Sequence, residues 1–264
     1  MKALILCGGT GIKLQEDNLF IPKGMVKIGH RPMLWHIMKT CSLYGIKDFI
    51  LALGKGSHLI REYFLNYNGY VNDVTVRLKS GELNYHTRHQ EEDWHVTLVE
   101  TGDEAGTGAR ISRCEQYIND KRFIVAYSDC LADININKLI DYHVKSEKIA
   151  TITGIMPPYR YGEFILDKEG LVKEYTEISK LHGNKGWVNG GFMVFEKDIF
   201  AFLNSFNECT LETTVFKDLS HKGKIALYMH KGFWQCLDNQ REFNYLNRLC
   251  ENNNEPWLFV NEKK

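Results

Sequence analysis

Unbroken apolar runs alternate with helically spaced ones along this chain. Ala3-Leu4-Ile5-Leu6-Cys7, Phe49-Ile50-Leu51-Ala52-Leu53, Val96-Thr97-Leu98-Val99 and Phe123-Ile124-Val125-Ala126 are almost free of polar interruption. A strand wetted on one face would alternate, so the first, second and fourth runs predict strands covered on both faces, and the third predicts a strand. Met33 to Leu43, with Gly45 as its cap, Leu59 to Tyr67 and Ile111 to Ile118 carry apolar residues at helical spacing. Phe243 to Leu249 predicts a closing helix packed on the sheet, with Trp257 docking the tail. The first two strands and the helix between them form a βαβ unit with a long first loop. From Gly69 to about Trp94 the regularity falls away, and this segment is expected to be an exposed hairpin or a subunit contact. His86 and His89 within it are too few ligands for a metal. His36 reads as a histidine satisfied on a helix face.

Chemistry enters at the strand ends. The first run opens into Gly8-Gly9-Thr10-Gly11, then Lys13, then Pro22-Lys23-Gly24-Met25-Val26. Glycines let backbone approach a ligand closely, and successive N–H groups form a concavity that suits phosphate. Such pairs of glycines also occur at ordinary turns. The dinucleotide fingerprint lacks its third glycine, and Gly54-Lys55-Gly56-Ser57 lacks the first glycine of a P-loop. A second glycine-rich loop, Thr101 to Arg110, follows the third run and opens a helix, which would add phosphate and base-binding capacity on the same sheet edge. The fourth run ends in Tyr127-Ser128-Asp129-Cys130. A carboxylate at the end of a central strand points into the crevice where open α/β sheets bind ligands, the expected place for a magnesium ligand. Asp133 is better placed than Asp129 to cap the next helix.

Length and charge narrow the picture. The 264 residues, 44% hydrophobic, suffice for one sizeable α/β unit spanning 1–264, and no linker, repeat or low-complexity tract divides them. Thirty-three basic side chains balance 33 acidic ones, so nothing argues for a nucleic-acid or membrane surface. No run reaches the length of a membrane span, and the first is too short for a signal peptide, so the expectation is a cytoplasmic protein. Seven cysteines, an odd number without a C-x-x-C pair, read as small buried hydrophobes in a reducing compartment.

The ordered set of Gly8-Gly9-Thr10-Gly11, Pro22-Lys23, Leu34 to Lys39, Tyr44 to Ile50, Thr97 to Asp103 and Tyr127-x-Asp129 resembles the sugar-1-phosphate nucleotidyltransferases, and among them the glucose-1-phosphate cytidylyltransferase family. Arg160-Tyr161-Gly162, Asn189-Gly190-Gly191-Phe192, and Gly232-Phe233-Trp234-Gln235 followed by Asp238 extend the likeness nearly end to end. The resemblance implies a Rossmann-like three-layer α/β fold with a central mixed, mostly parallel sheet. It implies CTP and a sugar phosphate, glucose 1-phosphate first, as substrates, CDP-glucose and pyrophosphate as products, and a homo-oligomer. In-line attack of the sugar phosphate on the α-phosphorus needs positioning and charge neutralisation above all.

By position, the resemblance implies that Lys13 holds the leaving phosphates and Lys23 the α-phosphate, with Asp129 and Asp238 sharing one Mg²⁺. Leu6, Gly8, Gly9, Thr10 and Gly11 would line the nucleotide, as would Thr107 and Arg110. Tyr127, Glu177, Asn189 and Gly190 would face the sugar. The chain also departs from the family. Lys13 replaces an arginine and loses its planar fork. Ile12 replaces a threonine, Gly24 a proline, and Ser128 and Cys130 flank Asp129 where the family has glycines, adding side chains where backbone should approach ligand. Ile178 replaces the lysine that would meet the sugar phosphate. Two readings follow: a working nucleotidyltransferase, or a diverged paralogue that binds nucleotide or a partner subunit and catalyses little.

Overall fold

The computed structural model describes residues 1–9, 21–86, 93–156, 163–166, 171–176 and 186–258. Its centre is a seven-stranded sheet. In chain order the strands are β1 (Lys2–Cys7), β2 (Asp48–Leu53), β3 (His95–Glu100), β4 (Arg122–Tyr127), β6 (Ala150–Ile155), β7 (Val188–Glu196) and β8 (Ile225–Met229), while β5 (Cys130–Ala132) and β9 (Trp234–Cys236) form a separate antiparallel pair. Spatial order is β8-β6-β7-β4-β1-β2-β3, with β7 antiparallel to both of its neighbours and every other pairing parallel. The sheet is therefore mixed and mostly parallel, as the sequence predicts.

Burial explains the unbroken apolar runs. Along β1, Ala3, Ile5 and Cys7 join one core cluster while Leu4 and Leu6 join the other, on the opposite face. Phe49, Leu51 and Leu53 divide from Ile50 and Ala52 in the same way. Helix α1 (Met33–Ser42) buries Met33, Leu34, Ile37, Met38 and Cys41 on the first face. It ends one residue short of the expected Leu43, and Gly45, at φ +81°, donates its N–H to the Ser42 carbonyl. Helix α2 (Ser57–Leu65) precedes a short turn of helix, Tyr67–Val71.

Helix α3 (Thr107–Arg113) starts four residues before the predicted Ile111. The reason is tertiary: the Gly106 N–H donates to the Asn207 carbonyl and the Ala109 N–H to that of Cys209, so the 207–209 segment fixes the start. Helix α4 (Ile136–Ser146) is capped by Asn135, whose side chain accepts from the Lys138 N–H. Asp133, expected as that cap, faces His230 at 3.0 Å instead. Helix α5 (Phe216–His221) covers the second face. The closing helix α6 (Gln240–Glu251) is longer than predicted at both ends, and its start is set by Asn239, which caps it by accepting the Glu242 N–H.

The irregular stretch contains a two-stranded hairpin, Val74–Arg77 paired with Glu82–Tyr85. His86 bonds Thr75 within it, and His89 lies outside the described residues. Among the described residues, no helix is long and apolar enough to cross a membrane.

His36 is a structural anchor. Its Nδ1 accepts from the Trp257 indole N–H at 3.1 Å, which leaves Nε2 to donate to the Ile28 carbonyl at 2.9 Å. Burial pushes its pKa from 6.5 down to about 4, with Arg31 adding to the effect. The unfolded chain therefore binds more protons in that interval, so the neutral-His36 contribution is complete above pH 6.5 and is lost as pH falls towards 4. We expect urea-unfolding stability to drop below pH 6.5 with a His36 contribution of up to about 1.4 kcal/mol per pH unit. His36→Gln should be less stable at pH 7 and show a shallower slope; equal slopes would exclude His36 as the source.

Candidate active site

The chain runs from β1 outward to β2 and β3, then crosses back to β4 on the other side of β1, so the strand order reverses between β1 and β4. Ligand crevices of open α/β sheets form at such a reversal. A pocket opens there, lined by Leu6 to Gly9 from the end of β1, Tyr127 to Asp129 from the end of β4, and Pro22-Lys23.

Gly8 has a reason to be glycine that is not phosphate. A Cβ on it would lie 1.9 Å from Arg110 Cζ, and one on Gly54 would lie 2.6 Å from an Arg110 guanidinium nitrogen. Arg110, which the resemblance places at the nucleotide, is 3% exposed beneath these loops. Its guanidinium donates to the carbonyls of Leu53, Gly102 and Asp103 and to the Thr101 hydroxyl, at 2.8–3.0 Å. Burial lowers its pKa. It braces the floor under the loop.

Two glycines of the second glycine-rich loop likewise have a packing reason to be glycine. Cβ atoms on Gly106 and Gly108 would meet the Cys209 carbonyl at 2.4 Å and the Cys209 thiol at 2.7 Å. These glycines allow close packing against the 207–209 segment. Thr107, beside them, donates its hydroxyl hydrogen to Glu212 Oε2 at 2.7 Å and accepts from the Leu211 N–H at 2.8 Å.

Lys23 stands in a single turn of 3-10 helix after Pro22. Its ammonium lies 3.0 Å from Asp129 Oδ2 and 2.6 Å from Asp238 Oδ1. Burial opposes that charge, but hydrogen bonds and attraction from Asp238 and Asp129 outweigh it and hold the pKa above lysine's ordinary value. The two carboxylates named as metal ligands thus already converge on one cation. Carboxylate oxygens of this kind are the donors that a hard divalent cation takes.

The departures beside Asp129 are accommodated. Ser128 is buried, and its Cβ packs where a Cβ on Gly24 would come within 3.1 Å. Serine in place of glycine thus meets glycine in place of proline across the contact, while Ser128 also lines the crevice. The Cys130 thiol donates to Asp129 Oδ1 at 3.3 Å.

A polar chain lines the neighbouring side. The Asn189 amide donates to the Tyr127 hydroxyl at 3.0 Å, and that hydroxyl donates to Glu212 Oε1. Burial, then the Glu212 charge and hydrogen bond, push the Tyr127 pKa up. Asn189 Oδ1 accepts from the N–H of Gly191, whose φ of +101° favours glycine. The buried Gly190 offers its carbonyl to the Trp234 indole at 2.8 Å, so that aromatic is a brace as well as a core residue. Thr10, Gly11, Lys13, Glu177 and Ile178 lie outside the described residues.

The sequence reading assigns no role to Glu212, although it ties Tyr127 to Thr107. The resemblance keeps a glutamate at this position, but its partners are 85 and 105 residues away and no local pattern shows them.

A family model described as "Nucleotidyl transferase" matches residues 2–243. The chain is 39% identical to the glucose-1-phosphate cytidylyltransferase of Salmonella typhimurium, over 97% of this chain and 98% of that one. It is 36% identical to the probable glucose-1-phosphate cytidylyltransferase of Bacillus subtilis, over 97% and 99%. In fold it is similar to the putative glucose-1-phosphate thymidylyltransferase of Bacillus anthracis, with a TM-score of 0.65, 16% identity and 94% of each chain covered.

The packing of Arg110 under Gly8 yields a test. Gly8→Ala should force the guanidinium off its acceptors, lowering stability by about 1–3 kcal/mol in urea unfolding. It should also weaken CTP binding in calorimetry by at least about tenfold through the displaced loop. Unchanged binding and stability would show that the loop yields without cost.

Proposed function

The chain belongs to the nucleotidyl transferase family, and from that premise we propose that it transfers a cytidylyl group from CTP to a sugar 1-phosphate, glucose 1-phosphate foremost, forming a CDP-sugar and pyrophosphate. The observation that carries the site assignment is the convergence of Asp129 and Asp238 on the Lys23 ammonium at the mouth of the β1–β4 crevice. Such a pair of carboxylates with a cation beside a backbone loop suits a polyphosphate with its metal.

The family generally uses a divalent metal, and Mg²⁺ is the ion proposed here. Asp129 and Asp238 would hold it, and when bound it supplies positive charge to the triphosphate oxygens. Lys23, displaced from the carboxylates, reaches the α-phosphate region, where its charge is stabilising as negative charge builds. The N–H groups of Gly8, Gly9 and Gly11, with Lys13, orient the phosphates. Leu6, Thr10 and Thr107 border the nucleotide, and Arg110 acts on it through the loop it braces. Tyr127, Glu177, Asn189 and Gly190 face the sugar, with Glu212 fixing the direction of the Tyr127 hydroxyl. No general base is required, because a sugar phosphate is already an anion at neutral pH.

Pyrophosphate release with Mg²⁺, CTP and glucose 1-phosphate tests the proposal directly. Asp129→Ala and Asp238→Ala should each lower kcat by roughly 10²–10³-fold, and Lys23→Met by a similar factor, with circular dichroism unchanged. Full activity in either aspartate variant would remove that residue from the metal site. Silence of the parent with every nucleoside triphosphate and sugar phosphate, while CTP still binds, would favour the nucleotide-binding paralogue.

A further inference from the structure

Asp238 faces two ways. Its Oδ1 meets Lys23 at 2.6 Å, on the side shared with Asp129, while its Oδ2 accepts from the Cys236 thiol at 3.3 Å. On that second side Cys236, Asp238 and Glu242 each present a ligand atom, all within 4.8 Å of one another. The spacing C-x-D-x-x-x-E has a structural cause. Cys236 ends β9, Asp238 lies in the turn, and Glu242 is in the first turn of α6 with one oxygen on the Asp238 N–H at 2.6 Å. Glu242 is therefore held in place before any ion arrives. Cys236 is 8% exposed and in no disulfide.

Directly across the β5–β9 pair, Cys236 is in register with Cys130, whose thiol touches Asp129 Oδ1. The ladder places Asp129 with Leu237 and Asp133 with Phe233 as hydrogen-bonded positions, so Cys130 and Cys236 form the intervening non-bonded pair, where side chains come closest. The aspartates that meet Lys23 are thus rimmed by sulfur on one side. Mg²⁺ prefers oxygen and gains nothing from that rim, whereas a thiolate with carboxylates suits zinc-class cations.

We propose that Cys236, Asp238 and Glu242 form a second cation subsite selective for thiophilic divalent ions of the zinc, cobalt and cadmium class, and that its occupation competes with the hard-metal site by drawing Asp238 away from it. Binding replaces the Cys236 thiol proton by the metal and releases that proton to water. Zinc–sulfur and zinc–oxygen bonds of about 2.3 and 2.0–2.2 Å require the three donors to close by roughly an ångström, with water completing the tetrahedron. The competition rests on the assignment of Asp238 to the catalytic metal; the subsite itself does not.

Co²⁺ titration of the intact protein, without substrate, gives a readout independent of turnover. A sulfur-to-cobalt charge-transfer band should rise at one equivalent, vanish on adding Zn²⁺, be absent in Cys236→Ser, and persist in Cys130→Ser. Glu242→Gln should weaken Co²⁺ binding by about 10-fold or more, which keeps the test available if Cys236→Ser does not fold. In the pyrophosphate assay, Zn²⁺ should inhibit the Mg²⁺-supported reaction of the parent at about tenfold lower concentration than that of Cys236→Ser. No band in the parent, or an equal band in Cys236→Ser, overturns the subsite. A band without any pyrophosphate release would count against the nucleotidyltransferase reading alone, and release without a band against the subsite alone.

Discussion

A buried guanidinium governs the shape of the ligand edge. Arg110 reaches from the helix after β3 under the loops that leave β1 and β2, and its hydrogen bonds gather the carbonyls of Leu53, Gly102 and Asp103 together with the Thr101 hydroxyl. A charge that is 3% exposed is tolerable only when its donors are met, and here backbone dipoles meet them. The consequence is mutual. The loops must end where Arg110 can reach them, and Gly8 and Gly54 must lack side chains because the guanidinium fills that space. The surface that Gly8 and Gly9 turn to the crevice is thus set from below, by a residue that presents its donors to backbone.

On that floor the charged groups divide into a gripping side and an orienting side. Lys23, Asp129 and Asp238 form a cluster in which one ammonium is shared by two carboxylates, so each charge has a partner. Opposite it, Asn189, Tyr127, Glu212 and Thr107 form a chain of hydrogen bonds that joins β7, β4, the 211–215 turn and α3. The first group supplies charge, the second direction. Nucleotidyl transfer between two anions needs both, since repulsion must be offset and the attacking oxygen aligned.

Substitutions near the site read differently once neighbours are known. Ser128 lines the crevice and also packs on Gly24, so two departures from the family meet in one contact. Cys130 and Cys236 are individually small buried residues, and only the strand register makes them a pair beside the two aspartates. The glycines at 106 and 108, read from the sequence for the ligand alone, also admit the backbone of residues 207–209.

Without reaching strands β6 to β8 or helices α4 and α5, the sequence by itself determined strands β1 to β4, the helices that follow β1, β2 and β3, the closing helix, the glycines after β1 and the acid at the end of β4. These follow from periodicity and backbone freedom, which contiguous residues carry. The resemblance added Asp238, which no local pattern distinguishes. Only the tertiary structure decided which side chains meet. Lys23 and Asp238 are 215 residues apart, and Tyr127 and Glu212 are 85 apart. Arg110 moved from ligand contact to brace, and the capping role passed from Asp133 to Asn135, for the same reason. A residue's type limits the bonds it can make, but sheet order and loop closure choose the partner, and that choice is a property of the whole chain.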